Sequence, residues 1–256
     1  MLIVVCICHT TMLFAQQNPL VLWYNKPAKV WEETLPLGNG LIGMMPDGNP
    51  SHEKIVLNEI SMWSGSPEDP NNYEAYKNVE AIQALLKAGK NDEAEKLVNE
   101  TFVTKGKGSG FGNGASVPYG CYQLFGDLLL DYKLPVGTIE DYRRSLDLAT
   151  ASAQTSFRIN GQQIQRRYYT SFDKNVGVIQ LDQNKDVLQT LDLSFQRKEN
   201  IDRYTLLNDG ILIEGSLPDG KGGKNLKFVG LIQVKGKNLQ ISKKDQTLEV
   251  SAKGDL

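Results

Sequence analysis

The 256-residue chain is 40% hydrophobic and carries 28 basic against 30 acidic side chains, a formal net charge of −2. That balance leaves no electrostatic footprint for nucleic acid or an anionic membrane surface. Length and apolar content suit one large domain or two small ones with a substantial core, so a globular protein is expected.

Leu2 to Ile7 and Met12 to Ala15 form an apolar run too short to cross a bilayer, followed by polar Gln16-Gln17-Asn18. This reads as a signal peptide over residues 1–15 with cleavage after Ala15, although the run lacks basic residues beyond the N-terminal amine. The alternative is a disordered or buried N-terminal strand. With Cys6 and Cys8 removed, Cys121 is left without a disulfide partner in the chain. A nucleophilic role for Cys121 needs a base. The mature chain offers only His52, in a charged turn with Ser51 and Glu53, so a packed thiol is the preferred reading.

Short apolar runs at Leu20 to Tyr24 and again from Val30 read as strands, with Trp23 and Tyr24 expected in the core. The stretch Leu35 to Gly65 then concentrates conformationally special residues. Gly38, Gly40 and Gly43 interrupt an apolar run, marking backbone that turns or approaches another surface closely. Pro46-Asp47-Gly48-Asn49 reads as a tight turn, after which Ile55, Leu57 and Ile60 resume a period near two. The expectation is two strands around a reversal, ending in Trp63-Ser64-Gly65.

From Asn71 to Gly89 the period changes. Tyr73, Tyr76, Val79, Ile82, Leu85 and Leu86 recur at helical spacing, and Gly89 sits where a C-cap glycine belongs. Asn91 is expected to cap a second helix, Asp92 to about Thr101, with Asp92 and Glu93 in its first turn. The pair reads as a two-helix insertion over about residues 72–101 in a β-rich chain. Lys105 to Gly114 is glycine-rich, but its glycines alternate where a phosphate-binding loop needs G-x-G-x-x-G or G-K-[ST]. It reads as a mobile loop near a cleft, with a lid as one further possibility.

Beyond Tyr122 the pattern is strands: Leu128 to Tyr132, Ala151 to Ile159 and Gln162 to Phe172, the last two joined by Asn160-Gly161, a strong hairpin signal. Val176 to Leu181, Val187 to Phe195, Ile211 to Gly215, Leu226 to Val234 and Thr247 to Val250 continue the rhythm of a sandwich. The fold class is therefore mainly β, with neither a fixed repeat nor a linker that divides the domain.

Four blocks carry a family resemblance: PAKVWEETLPLGNGLIG from Pro27, IVLNEISMWSGSP from Ile55, YQLFGDLLLDY from Tyr122 and YRRSLDLATASAQTSF from Tyr142. Together they resemble the N-terminal domain of glycoside hydrolase family 95, the 1,2-α-L-fucosidases and their α-L-galactosidase relatives. The resemblance implies a β-sandwich of the super-sandwich kind and an exported hydrolase acting on terminal fucose of glycans. It places the catalytic residues on a large helical barrel, outside residues 1–256, so none carries over to this chain. It also implies a domain truncated at its C-terminal end, probed by reading the coding sequence downstream of Leu256. An unpaired sheet edge would follow, favouring aggregation or pairing with another chain. The family needs neither metal nor cofactor, and His52 and Cys121 are too far apart for zinc-ligand spacing.

Glycoside hydrolysis ordinarily uses two carboxyl groups flanking the scissile bond. Adjacent Glu32 and Glu33 would point to opposite sides of a strand and cannot easily share a substrate. Asn39, Asn58, Glu59 and Trp63 are the candidates for the substrate cleft or an interdomain surface, because short polar side chains and an exposed aromatic at loop ends suit contact. For Trp63, sugar contact, an interdomain wedge and local core packing stay open. For Tyr24, Trp31 and Tyr119 core packing is preferred. The rival reading is a stand-alone carbohydrate-binding module; a non-carbohydrate interaction domain is the third.

Overall fold

The computed structural model describes residues 20–105, 120–182, 188–254 and 256. The expected signal peptide, the glycine-rich stretch from residue 106 and Tyr119 lie outside the described residues. Within them, fifteen strands form three antiparallel sheets.

The five-stranded sheet orders β1 (Val21–Tyr24), β6 (Ile139–Asp147), β7 (Ser152–Ile159), β8 (Gln162–Ser171) and β9 (Val176–Asp182). The seven-stranded sheet runs β14 (Gln240–Lys244), β15 (Thr247–Lys253), β10 (Leu188–Gln196), β5 (Gly126–Tyr132), β4 (His52–Glu59), β3 (Ile42–Pro46) and β2 (Leu37–Gly38). The third joins β11 (Ile201–Leu206), β12 (Gly210–Pro218) and β13 (Lys224–Gln233).

Alternation drives the layering. In β7, Ala153, Thr155, Phe157 and Ile159 point inward while their neighbours face out, and β15 buries Leu248, Val250 and Ala252 in the same way. One apolar core joins the sheets: Ile55, Leu128 and Leu191 of the seven-stranded sheet meet Leu146, Tyr168 and Leu181 of the five-stranded one, with Ile211, Ile213 and Phe228 of the third. Phe125 ties the third sheet down, its ring 5.2 Å from that of Phe195 and 5.8 Å from that of Phe228.

The reversal after β3 forms as the sequence indicates. Met44 pairs with Leu57 and Pro46 with Ile55. Gly48 adopts φ +71°, and Asp47 Oδ1 accepts from the Asn49 amide at 2.8 Å. Of the three glycines before it, Gly40 takes a left-handed φ of +91°, whereas Gly38 and Gly43 face one another in the β2–β3 pair. The β7–β8 hairpin closes with Ile159 opposite Gln162, and both Asn160 and Gly161 have positive φ, as a type I′ turn requires.

The helical pair is α1 (Val79–Lys87) and α2 (Asn91–Thr101). Gly89, at φ +72°, ends α1: its amide donates to Leu86 O and that of Lys90 to Leu85 O, both at 3.0 Å, the Schellman arrangement. Asn91 is the first helical residue and not the cap; Lys90 holds that place without a side-chain capping bond. The apolar face is largely open, since Ala94 alone is buried in the pair and Tyr73 and Tyr76 are exposed.

Two expectations near the N-terminus are overturned. Trp23, Tyr24 and Trp31 are 40–53% exposed rather than in the core: Trp23 and Tyr24 lie on the edge strand β1, where Arg143 and Arg144 stack over their rings, and Trp31 lies on a short 3-10 turn. Glu32 and Glu33 lie on a 3-10 turn, Trp31–Glu33, and not on a strand.

Candidate functional site

At the C-terminal end of β4 the chain assembles a corner from distant segments. Asn58 and Glu59 finish the strand, Ile60 and Ser61 turn it, and Trp63 makes a lone antiparallel bridge with Tyr122. The two segments are stitched together: the Gln123 amide donates to Met62 O at 2.8 Å, the Ser64 amide to Cys121 O at 3.0 Å, and the Cys121 amide to Ser64 Oγ at 3.0 Å. Across from this, the Ile60 amide donates to Leu41 O at 2.9 Å, so the β2–β3 turn flanks the same corner.

Trp63 is 53% exposed, and its ring meets Tyr122 edge-on, with centroids 5.4 Å apart. The Tyr122 hydroxyl donates to Asn58 Oδ1. Glu59 Oε2 accepts from the Ser61 amide at 2.8 Å and from Ser61 Oγ at 2.5 Å, which fixes the carboxylate at the turn. Behind the corner, Arg197 bonds the carbonyls of Leu124 and Phe125 and reaches Gln123 Oε1 at 2.7 Å, with its guanidinium over Phe228. Its half-buried position lowers the arginine pKa below the usual value.

The structure thus brings Asn58, Glu59 and Trp63 together and sets Asn39 apart. Asn39 is buried. Its Oδ1 accepts from the amides of Leu41 and Ile42 at 3.0 and 2.9 Å, and its Nδ2 donates to Ser171 O and Asn175 Oδ1 at 2.8 and 3.2 Å. Sequence reasoning did not single out Tyr122 or Arg197. Tyr122 stood in a matching block, but its contact with Asn58 crosses 64 positions.

The corner borders a groove of about 960 Å³ lined mainly by apolar side chains, with Asn58 and Glu59 also in its lining. Glu59 is the one carboxylate among the described groove-lining residues. Glu53, by contrast, is not in a surface turn as expected but buried between the sheets. It accepts from Tyr168 and Tyr132 hydroxyls at 2.5 and 2.9 Å and pairs with Arg166 at 3.3 Å. Arg166 also bonds Asn49 O at 2.8 Å and Pro50 O, and lies over the Tyr132 ring. Burial pushes the Glu53 carboxyl above its ordinary range, opposed by Arg166 and Tyr168. With every oxygen engaged and no path to solvent, this cluster locks the two sheets together.

His52 stands at the opposite end of β4, exposed, with Nδ1 2.6 Å from Asp131 Oδ1, so it does not reach Cys121. Cys121 Sγ instead lies 3.6 Å from Ser64 Oγ. Among the described residues no three His, Cys, Asp or Glu side chains are grouped to hold a metal.

The model of the glycosyl hydrolase family 65 N-terminal domain matches residues 22–256. The chain belongs to that family. Among curated proteins, this N-terminal domain is 29% identical over 180 residues to "Alpha-L-fucosidase 2" of Arabidopsis thaliana, covering 70% of the chain and 20% of the relative. It is 31% identical over 186 residues to "Probable alpha-fucosidase A" of Aspergillus niger, covering 71% and 22%. The chain therefore spans about a fifth of the length of these relatives. The expectation of a fucosidase-like N-terminal domain, drawn from four short blocks, is borne out by this match.

Proposed function

We propose that this chain is the non-catalytic N-terminal β-sandwich of an exported α-L-fucosidase that acts on terminal fucose of glycans. The observation that carries the reading is the family match across residues 22–256, to which the names of the relatives lend the substrate class. Export rests on the apolar run before Gln16. The non-catalytic role rests on the chemistry of the corner: one carboxylate, Glu59, beside amides, a hydroxyl and an aromatic face, where glycoside hydrolysis ordinarily needs a pair. The reaction centre would then belong to a separate helical barrel domain, and Asn58, Glu59, Trp63 and Tyr122 would form one wall of the cleft or seat that barrel.

A second reading, a stand-alone carbohydrate-binding module, is favoured by the open Trp63–Tyr122 pair, since an exposed aromatic face suits a sugar ring. Calorimetric titration of the purified chain with a fucosylated oligosaccharide separates the two. A saturable isotherm lost in Trp63→Ala supports the module. No heat of binding, with no fucose released, supports the accessory domain.

A further inference from the structure

The described residues hold two Asn-Gly pairs, Asn39-Gly40 and Asn160-Gly161. Each sits at a reversal, the first between β2 and β3, the second between β7 and β8. Asparagine is a thermolabile residue, and glycine after it removes the steric protection: without a Cβ, the glycine amide nitrogen can approach the preceding side-chain amide closely. The glycines do not separate the two pairs. Gly40 and Gly161 are both exposed, with φ of +91° and +76°, and a Cβ added to either would meet nothing within 4 Å. The difference lies in the asparagines.

Asn39 is 6% exposed, and its amide is held at both ends: Oδ1 accepts from the Leu41 and Ile42 amides, and Nδ2 donates to Ser171 O and Asn175 Oδ1. Attack on its Cγ requires the side chain to swing out, which breaks these bonds and frees the turn between β8 and β9. An acid at this position would also set an oxygen against two acceptors, Ser171 O and Asn175 Oδ1, which Nδ2 now satisfies. Asn160 is exposed. Among the described residues its one side-chain hydrogen bond runs from Nδ2 to Val136 O, 2.9 Å away, on a residue that is itself 98% exposed. A single bond at the surface holds this side chain, and water reaches it directly.

We propose that Asn160-Gly161 is a site of spontaneous modification in the folded chain, and that the fold protects Asn39-Gly40 from the same reaction. The Gly161 amide nitrogen bonds to Asn160 Cγ and gives up its proton; the Cγ–Nδ2 bond breaks, and ammonia leaves with that proton. Water then opens the cyclic imide at one carbonyl or the other, giving aspartate or isoaspartate. Water is the only co-reactant, and nothing is oxidised or reduced. Isoaspartate routes the main chain through the side-chain methylene, which lengthens a two-residue loop whose length sets Ile159 opposite Gln162. The modified chain therefore loses the register of the β7–β8 hairpin at its tip. This inference is independent of the fucosidase assignment.

The test holds the full chain in mildly alkaline buffer, folded in one arm and unfolded in concentrated urea in the other. Tandem mass spectrometry of tryptic peptides reads the change from amide to acid at each asparagine, and isoaspartyl methyltransferase labelling reads the rearranged product. In the folded arm Asn160 is expected to convert roughly tenfold faster than Asn39 or more, since Asn39 must first break several hydrogen bonds. In urea the two rates are expected to become comparable. The protein is unaltered in both arms, so a misfolded variant cannot imitate the result. Conversion of Asn39 as fast as Asn160 in the folded chain, or no conversion at Asn160 while the unfolded arm reacts, overturns the proposal. A rate difference that persists unchanged in urea also overturns it, because local sequence and not the fold would then set the rates.

Discussion

Every polar atom of the Asn39 side chain is engaged by the chain itself, which makes this residue a lock on the β2–β3 turn. Asn39→Ala is expected to lower stability by about 1–3 kcal/mol, because it strands buried donors and acceptors. Urea unfolding measures the loss. Trp63 behaves oppositely: half of it faces water and its chief partner is Tyr122, so Trp63→Ala should cost no more than about 1.5 kcal/mol in the same measurement. A larger loss would mean that the indole is core and not contact surface. At Glu53 the physics is that of a buried charge. Arg166→Leu leaves that carboxyl without its cation and is expected to cost about 3–5 kcal/mol, seen as a lowered denaturation midpoint at unchanged slope. The Glu53 cluster was not legible from the residues. Glu53 stands between His52 and Lys54, where a charged run reads as a solvated face, and its partners arrive from 79 to 115 positions away.

Among the elements, those that declare themselves locally were readable. The Asn160-Gly161 turn needs positive φ at both positions, and the two residue types that tolerate it are present. Gly161→Val should therefore destabilise the β7–β8 hairpin by about 1–3 kcal/mol, measured by thermal unfolding, whereas Gly161→Asn should be milder. The helical pair was equally visible from its period. Strand β6 was not. Its sequence IEDYRRSLD is polar because it works by burying Arg144, which donates to Lys26 O at 2.8 Å and Glu33 O at 2.6 Å and so pins the segment before β2 to the five-stranded sheet. Polar strands of this kind, with β11 and β14, lack the apolar alternation on which sequence reading depends.

For the whole molecule, the sandwich class follows from many short alternating strands, but their order in the sheets does not. The placement of β10 between β15 and β5 joins segments far apart in sequence, and no local pattern encodes that choice. The corner at the end of β4 inherits the same limit: Asn58, Glu59 and Trp63 are close in the chain, while Tyr122 and Arg197 are delivered by the topology. The central claim is that this fold frames a glycan site without performing the reaction. A fucose-release assay on the purified chain, with a terminally α-1,2-fucosylated oligosaccharide and an active fucosidase run alongside, tests it most directly. The account predicts no fucose above the buffer control; steady release that scales with the concentration of this chain would contradict it.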